Sequence, residues 1–270
     1  MANPADRAGR TGTLPTGTQS IERAALILRA LAERRSIGWR ALDLAAHCSL
    51  DRGTTHRILA CLVRERLVRQ RASDKRYVPG PLLFELGLSV SGFTELQTVC
   101  HAPLARLARR LGASALLYLR SGAEFVCAAR VEFTPLKALT IDVGTRRPLI
   151  VSAGAVAMLL ALPQHEADAM IAANLRDVAH LGSARIAALQ RMLRRSRRLG
   201  VGVSQDDIVP NISAFGVAIH DGSGAPFASI SVVSTTDQLP EARVPEVVAA
   251  LNGEARRIER EILQGAGGHG

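Results

Sequence analysis

Apolar residues begin to recur at helical spacing from Ile21, where Ile21, Ala24, Ala25, Leu28, Leu31 and Ala32 share a face and Ser20 stands as the capping residue. That helix is expected to end near residues 34–36. A short helix follows over about residues 40–47, with Leu42, Leu44 and Ala45 as its apolar content. Ser49-Leu50-Asp51 makes a turn with a capping residue, and a third helix is predicted over residues 52–64. Residues 67–71, 72–76 and 77–78 then read as a strand, a basic turn and a second strand. Gly80-Pro81 closes this unit and opens an apolar connecting helix over residues 82–88. A longer helix over residues 95–111 contains Pro103.

Beyond residue 111 the period shortens. Residues 115–120, 124–131 and 136–143 read as strands, and residues 152–162 as a small-residue, buried helix. Two amphipathic helices are predicted over residues 164–174 and 183–199, then strands over 201–205, 214–220 and 226–233. The last two strands are joined by the hairpin-type turn Asp221-Gly222-Ser223-Gly224. A terminal helix spans residues 245–263. The pattern predicts an α+β protein: three helices with a β-wing, a linker helix, then an antiparallel sheet with packed helices. The expected divisions are a disordered basic leader over residues 1–19, a winged helix-turn-helix over 20–80 and a linker helix over 81–94. An effector-binding domain over 95–264 and a tail over 265–270 complete the chain.

The third predicted helix changes the picture from fold to chemistry. Its apolar stripe is Ile58, Leu59 and Leu62, extended back to Thr55, which leaves Arg52, Gly53, Thr54, His56 and Arg57 on the opposite face. Arginine forks onto guanine edges or phosphates, threonine reaches a phosphate or a thymine methyl, and glycine permits close backbone approach. A solvated face would instead carry Glu–Lys pairs. Two helices joined by a tight turn, the second exposing such a face, form a helix-turn-helix, and Arg71, Lys75 and Arg76 at the wing suit the DNA backbone.

Charge supports the same segment. The chain of 270 residues carries 34 basic and 24 acidic groups, a net charge of +10. Residues 1–87 hold 15 basic and 8 acidic groups, and residues 88–270 hold 19 and 16, so most of the excess lies in the first third. All but Lys75 and Lys137 of the basic residues are arginine. The arginine-rich run at residues 191–198 scatters over more than one helix face and reads as solvated.

Other chemistries are poorly supported. With 47% apolar and 21% charged residues the chain is globular, and no apolar run reaches the length of a membrane span. The first 20 residues lack an apolar signal region, which points to a cytoplasmic protein with reduced thiols at Cys48, Cys61, Cys100 and Cys127. His47, Cys48, His56 and Cys61 fit no zinc spacing, and Asp206-Asp207 lacks a third ligand at useful spacing, so neither metal nor cofactor is expected. Nucleophiles such as Cys127 or Ser152 and bases such as His101, His180 or His220 exist, yet no G-x-S-x-G, P-loop, G-x-G-x-x-G or H-E-x-x-H motif accompanies them. The reading is a DNA-binding regulator and no enzyme; the alternative is a small-molecule enzyme carrying an accessory basic module.

The order of several stretches resembles the IclR family of bacterial transcriptional regulators, over about residues 18–263. They are Ser20-Ile21-Glu22-Arg23-Ala24, Leu50-Asp51-Arg52-Gly53-Thr54-Thr55-His56-Arg57-Ile58-Leu59 and Lys75-Arg76-Tyr77-Val78-Pro79-Gly80-Pro81. Val143-Gly144-Thr145-Arg146-Arg147-Pro148-Leu149, Arg197-Arg198-Leu199-Gly200-Val201 and Asp221-Gly222-Ser223-Gly224 complete the set. The resemblance implies a GAF-like effector-binding domain and a homodimer or dimer of dimers on a palindromic double-stranded DNA operator. It also implies a small organic or aromatic acid as effector, with pocket positions at Ser152, Ala153, Asp207, Ser213, Ala214, Ser229 and Ser231. The chain departs from the family pattern in carrying Ser213-Ala214 in place of Arg-Cys and Ile150 in place of histidine. It also has Ala155-Val156 in place of Gly-Lys, Asp51 in place of proline and Gly53 in place of serine. A pocket cysteine and a cation are thereby lost, which argues against assigning any known member's ligand and leaves room for a less polar or bulkier effector.

Overall fold

A computed structural model describes residues 18–89, 93–133, 135–136 and 139–266. The expected leader lies almost wholly outside the described residues, and the tail falls outside them from residue 267. The chain divides into two compact units, residues 1–91 and 92–270.

In the first unit, α1 (Gln19–Glu33), α2 (Ala41–His47) and α3 (Arg52–Arg64) are followed by β1 (Val68–Gln70), β2 (Tyr77–Pro79) and α4 (Pro81–Leu88). The first helix begins earlier than expected, with Thr18 rather than Ser20 at its cap. Ile27, Leu31, Leu44, Leu59 and Trp39 close a small core under the three helices. Trp39 joins that core to the wing. Its backbone N–H donates to Tyr77 O at 2.9 Å and its carbonyl accepts from Tyr77 N at 2.8 Å. Its indole N–H donates to Ala30 O at 2.8 Å, so the one polar atom of a buried ring is satisfied.

The second unit is built on an antiparallel sheet whose strand order is β5-β4-β3-β8-β7-β6. Its strands are β3 (Ser114–Ser121), β4 (Glu124–Val131), β5 (Arg146–Pro148), β6 (Gly202–Gln205), β7 (Ile212–His220) and β8 (Pro226–Thr235). Alternation sends Leu117, Phe215 and Ile230 to one face, packed with Leu104 of α5 (Phe93–Leu111) and Leu251 of α9 (Val244–Ala266). Tyr118, Cys127 and Val233 face the other way. They pack with α6 (Ala153–Leu160), α7 (Gln164–Asp177) and α8 (Ser183–Leu199) through residues such as Val156, Ile171 and Met192.

One predicted strand is absent. None of the described residues within 136–143 forms a strand; the sheet edge is instead β5, paired with β4 through Phe125 and Arg147. The apolar run misled because guanidinium groups take the carbonyls a ladder would need. Arg130 Nη1 donates to Ile141 O at 2.8 Å, and Arg147 Nη2 donates to Thr140 O at 3.1 Å. The arginine run of α8 is partly neutralised, Arg197 pairing with Asp168 at 2.8 Å and Arg195 with Asp207.

Candidate DNA-facing helix and ligand cavity

The second helix of the turn motif starts as its sequence dictates. Asp51 sits in extended backbone as the cap residue, and its carboxylate accepts from Thr54 N at 2.7 Å. The Thr54 hydrogen bonds, with help from Arg57, hold the Asp51 carboxyl below the usual carboxylate range. Leu59 and Leu62 fix the inner face of α3, leaving Arg52, Gly53, His56 and Arg57 exposed. The exposed face expected from the sequence therefore stands without Thr54. Thr54 lies one turn before Ile58 on the same stripe, is 8% exposed, and accepts from Arg57 Nη2 at 3.3 Å through its hydroxyl. It orients an arginine and does not itself face outward.

The wing splits its three cations. The Lys75 side chain has no hydrogen bond or ion pair among the described residues. Arg71 and Arg76 turn inward: Arg71 Nη2 donates to Ser36 O and Ile37 O at 3.0 and 2.9 Å, and Arg76 Nη1 to Gly38 O at 3.2 Å. Both also lie 3.6 Å from Asp74. These two arginines fasten the wing to the α1–α2 connection, a role that charge counting does not reveal.

In the second unit a cavity of about 70 Å³ opens where the first turn of α6 meets β3, β6 and β7. Of the seven pocket positions inferred from sequence, Ser152, Ala153 and Ala214 line it. The other four lie outside the lining. Asp207 is buried against α8, pairing with Arg195 and accepting from Gln205 N at 3.1 Å, so it anchors the 206–211 loop whose Ile208 and Val209 border the cavity. Ser213 donates to Thr236 Oγ1 at 3.3 Å, and Ser231 donates to Phe215 O at 2.8 Å. Ser229 is buried opposite Tyr118 in the β3–β8 register.

Close backbone contact fixes this corner. A side-chain carbon on Gly202 would lie 1.8 Å from Ala153 O, and one on Gly216 would lie 2.4 Å from Gly154 Cα. The start of α6 thus rests directly on β6 and β7. A carbon on Gly154 would meet the Tyr118 ring at 2.6 Å and Ser231 Cβ at 2.7 Å, so α6 also lies close against β3 and β8 at this glycine.

Among the lining residues that escaped the sequence reading, Arg147 and Tyr118 stand out. Arg147 is the one charged residue of the lining. The Tyr118 hydroxyl is fully buried with no hydrogen-bond partner of acceptable geometry. Burial pushes its pKa up; the Ser152 hydroxyl and the charges of Arg147 and Arg130 pull the other way and do not overcome it. The available signal was a tyrosine, one of only two in the chain, inside an otherwise aliphatic strand. Among the described residues no group of three or more His, Cys, Asp or Glu is placed to hold a metal, and no helix is long and apolar enough to cross a membrane.

Comparison with known proteins matches the same two segments. Residues 20–72 match the IclR helix-turn-helix domain, and residues 89–260 match the bacterial transcriptional regulator IclR C-terminal domain. The HTH-type transcriptional repressor AllR of Klebsiella pneumoniae is 25% identical over 261 residues, covering 95% of this chain and 96% of that protein. The fold matches an IclR transcriptional regulator from Alicyclobacillus acidocaldarius with a TM-score of 0.71 at 21% identity, covering 90% of this chain and 98% of the other. It matches an IclR homolog from Microbacterium hydrocarbonoxydans, complexed with 4-hydroxybenzoate, with the same TM-score and identity over 91% and 99% of the two chains. Helix-turn-helix, antiparallel effector-type domain and matched segments agree along the chain, which belongs to the IclR family of bacterial transcriptional regulators.

Proposed function

We propose that this regulator binds a palindromic operator through Arg52, Gly53, His56 and Arg57 on α3 and through Lys75 at the wing. Thr54 positions Arg57, while Arg71 and Arg76 hold the wing in place. A small organic acid in the cavity beside α6 shifts operator affinity by favouring one arrangement of the protein over another. The observation that carries the DNA reading is the exposed face of α3, which presents two arginines and a glycine and no acid. We further infer a cytoplasmic homodimer or dimer of dimers without catalytic activity. Helix α4 supports the oligomer: Phe84 and Leu88, one turn apart, are 70% and 59% exposed, an apolar surface that association would cover. The relatives' standing as regulators supports the absence of catalysis.

Retention of DNA from immediately upstream of its own coding sequence, measured over a salt series, tests the proposal. A phosphate-gripping dimer gives a steep fall of log affinity with log salt. A flat salt response, or no retention at low salt, would overturn the DNA reading. Sedimentation of the same sample gives the oligomeric state.

A further inference from the structure

Four buried side-chain atoms among the described residues lack a hydrogen-bond partner, Ser114 Oγ, Arg130 Nε, Ser229 Oγ and the Tyr118 hydroxyl, and of these residues Tyr118 alone lines the cavity. Buried polar groups are hydrogen-bonded, and an orphan costs the full desolvation of that group unless something outside the chain completes it. Tyr118 lines the cavity, and its neutral phenol keeps a proton to donate. Resting on the organic-acid reading above, we propose that Tyr118 donates the hydrogen bond that reads the acceptor end of the effector and that Arg147 supplies the counter-charge.

The placement of the surrounding groups favours an anion. No carboxylate lines the cavity, and its one charged lining residue is Arg147, held against Thr140 by bonds of 3.1 Å to its carbonyl and hydroxyl. The first turn of α6, whose leading N–H groups have no partner within the helix, borders the cavity at Ala153. The cation that Ser213 and Val156 do not provide is thus supplied from the sheet edge. Of the pocket positions inferred from sequence, the strand serines Ser213, Ser229 and Ser231 lie outside the lining, and the Ser231 hydroxyl is spent on Phe215 O. Tyr118 takes the place of those hydroxyls as donor.

Size narrows the class further. A void of about 150 Å³ holds a benzene ring. The cavity here is about 70 Å³, and the remaining lining is mainly aliphatic, including Leu139, Ile141, Val151, Ile208 and Ile212, with the hydroxyl residues Thr140, Ser152 and Ser204 beside them. The occupant is a short aliphatic monocarboxylate of about three or four carbons, since a ring needs roughly twice that room.

Calorimetric titration of the full chain with butyrate, butyramide and benzoate tests the assignment, together with the variants Tyr118→Phe and Arg147→Gln. The wild type should bind butyrate at least tenfold more tightly than either other probe. Tyr118→Phe should weaken butyrate by about tenfold or more while melting at or above the wild-type temperature, because it removes a buried donor with no partner in the free protein. Arg147→Gln should erase the preference for acid over amide. Equal butyrate binding by Tyr118→Phe and wild type, or a melting temperature lowered by several degrees in that variant, would overturn the role of Tyr118. Benzoate binding without butyrate would overturn the short-chain assignment and leave the organic-acid reading standing. Binding of butyramide alone, or of no probe, would overturn both.

Discussion

The two units use arginine differently. In the second unit many guanidinium groups are consumed internally. Arg106 forks onto Glu254 at 2.9 and 2.7 Å, Arg146 pairs with Glu124 at 2.7 Å, and Arg195 with the buried Asp207. In the first unit Arg66 pairs with Glu85, and Arg71 and Arg76 brace the wing. Yet the side chains of Arg52 and Lys75 meet no partner among the described residues, and Arg57 makes one hydrogen bond, to Thr54, beside a longer-range attraction to Asp51. Arg109, Arg176, Arg194, Arg198, Arg256 and Arg260 of the second unit also meet no partner among the described residues. The difference therefore teaches that placement counts as much as pairing: Arg52 and Lys75 stand at the exposed start of α3 and on the wing. A charge satisfied within the chain has little left to offer a phosphate, whereas an unpaired one keeps its full field for counter-ion release.

Substitutions can separate the two regimes. The largest expected effect is Gly202→Ala, which drives a carbon into Ala153 O and should unfold the second unit, or destabilise it by about 3 kcal/mol or more, while the first unit keeps its amide-exchange protection. Asp207→Ala should follow at about 3 kcal/mol in thermal unfolding, the low end for a broken buried pair because Arg195 is partly exposed. Wild-type stability in that variant would mean the pairing in the second unit is ornamental. Arg57→Ala should weaken operator binding by about 1–3 kcal/mol with the second unit's stability unchanged, and Lys75→Ala should flatten the salt slope by about one unit on any sequence. Equal operator affinity for Arg57→Ala and wild type would break the comparison at its functional end. The smallest effect is a pH dependence. The Asp51 carboxyl is depressed in the folded state, so its contribution is present above the ordinary aspartate range and is lost as the pH falls through the lowered value. Asp51→Asn caps without titrating and should blunt that acid-side loss; identical acid unfolding of the two proteins would count against it.

The periodicity of residues 52–64 and 183–199 matches α3 and α8 residue for residue, because each has an apolar stripe bounded by a clear start or stop. The hairpin at Asp221 is equally local: its carboxylate accepts from Ser223 N and Ala225 N at 2.9 and 3.0 Å, bonds made within a few consecutive residues. What could not be read is whatever depends on distant partners. The 136–143 run looks like a strand until Arg130, ahead of it in the chain, and Arg147, beyond it, claim its carbonyls. Thr54 reads as an exposed contact until the stripe is followed a full turn further. Asp207 reads as a ligand contact, yet α8 takes it first. The donor of the cavity was hidden for the same reason. Nothing near Tyr118 in sequence says that its hydroxyl ends unpaired; that emerges only when β3, β8 and α6 are brought together.

The glycine seam between α6 and strands β6 and β7 also constrains how this protein can change over time. Where helix backbone touches sheet backbone, no larger residue can be accepted at Gly202 or Gly216, so the depth of the cavity there is inherited and not adjustable. A lineage adapting to a different metabolite, or an engineer building a biosensor from it, has freedom in the walls: the 139–141 segment and the 206–211 loop. New ligand preferences are therefore expected to arise as exchanges in those two loops, with the seam passed on unaltered.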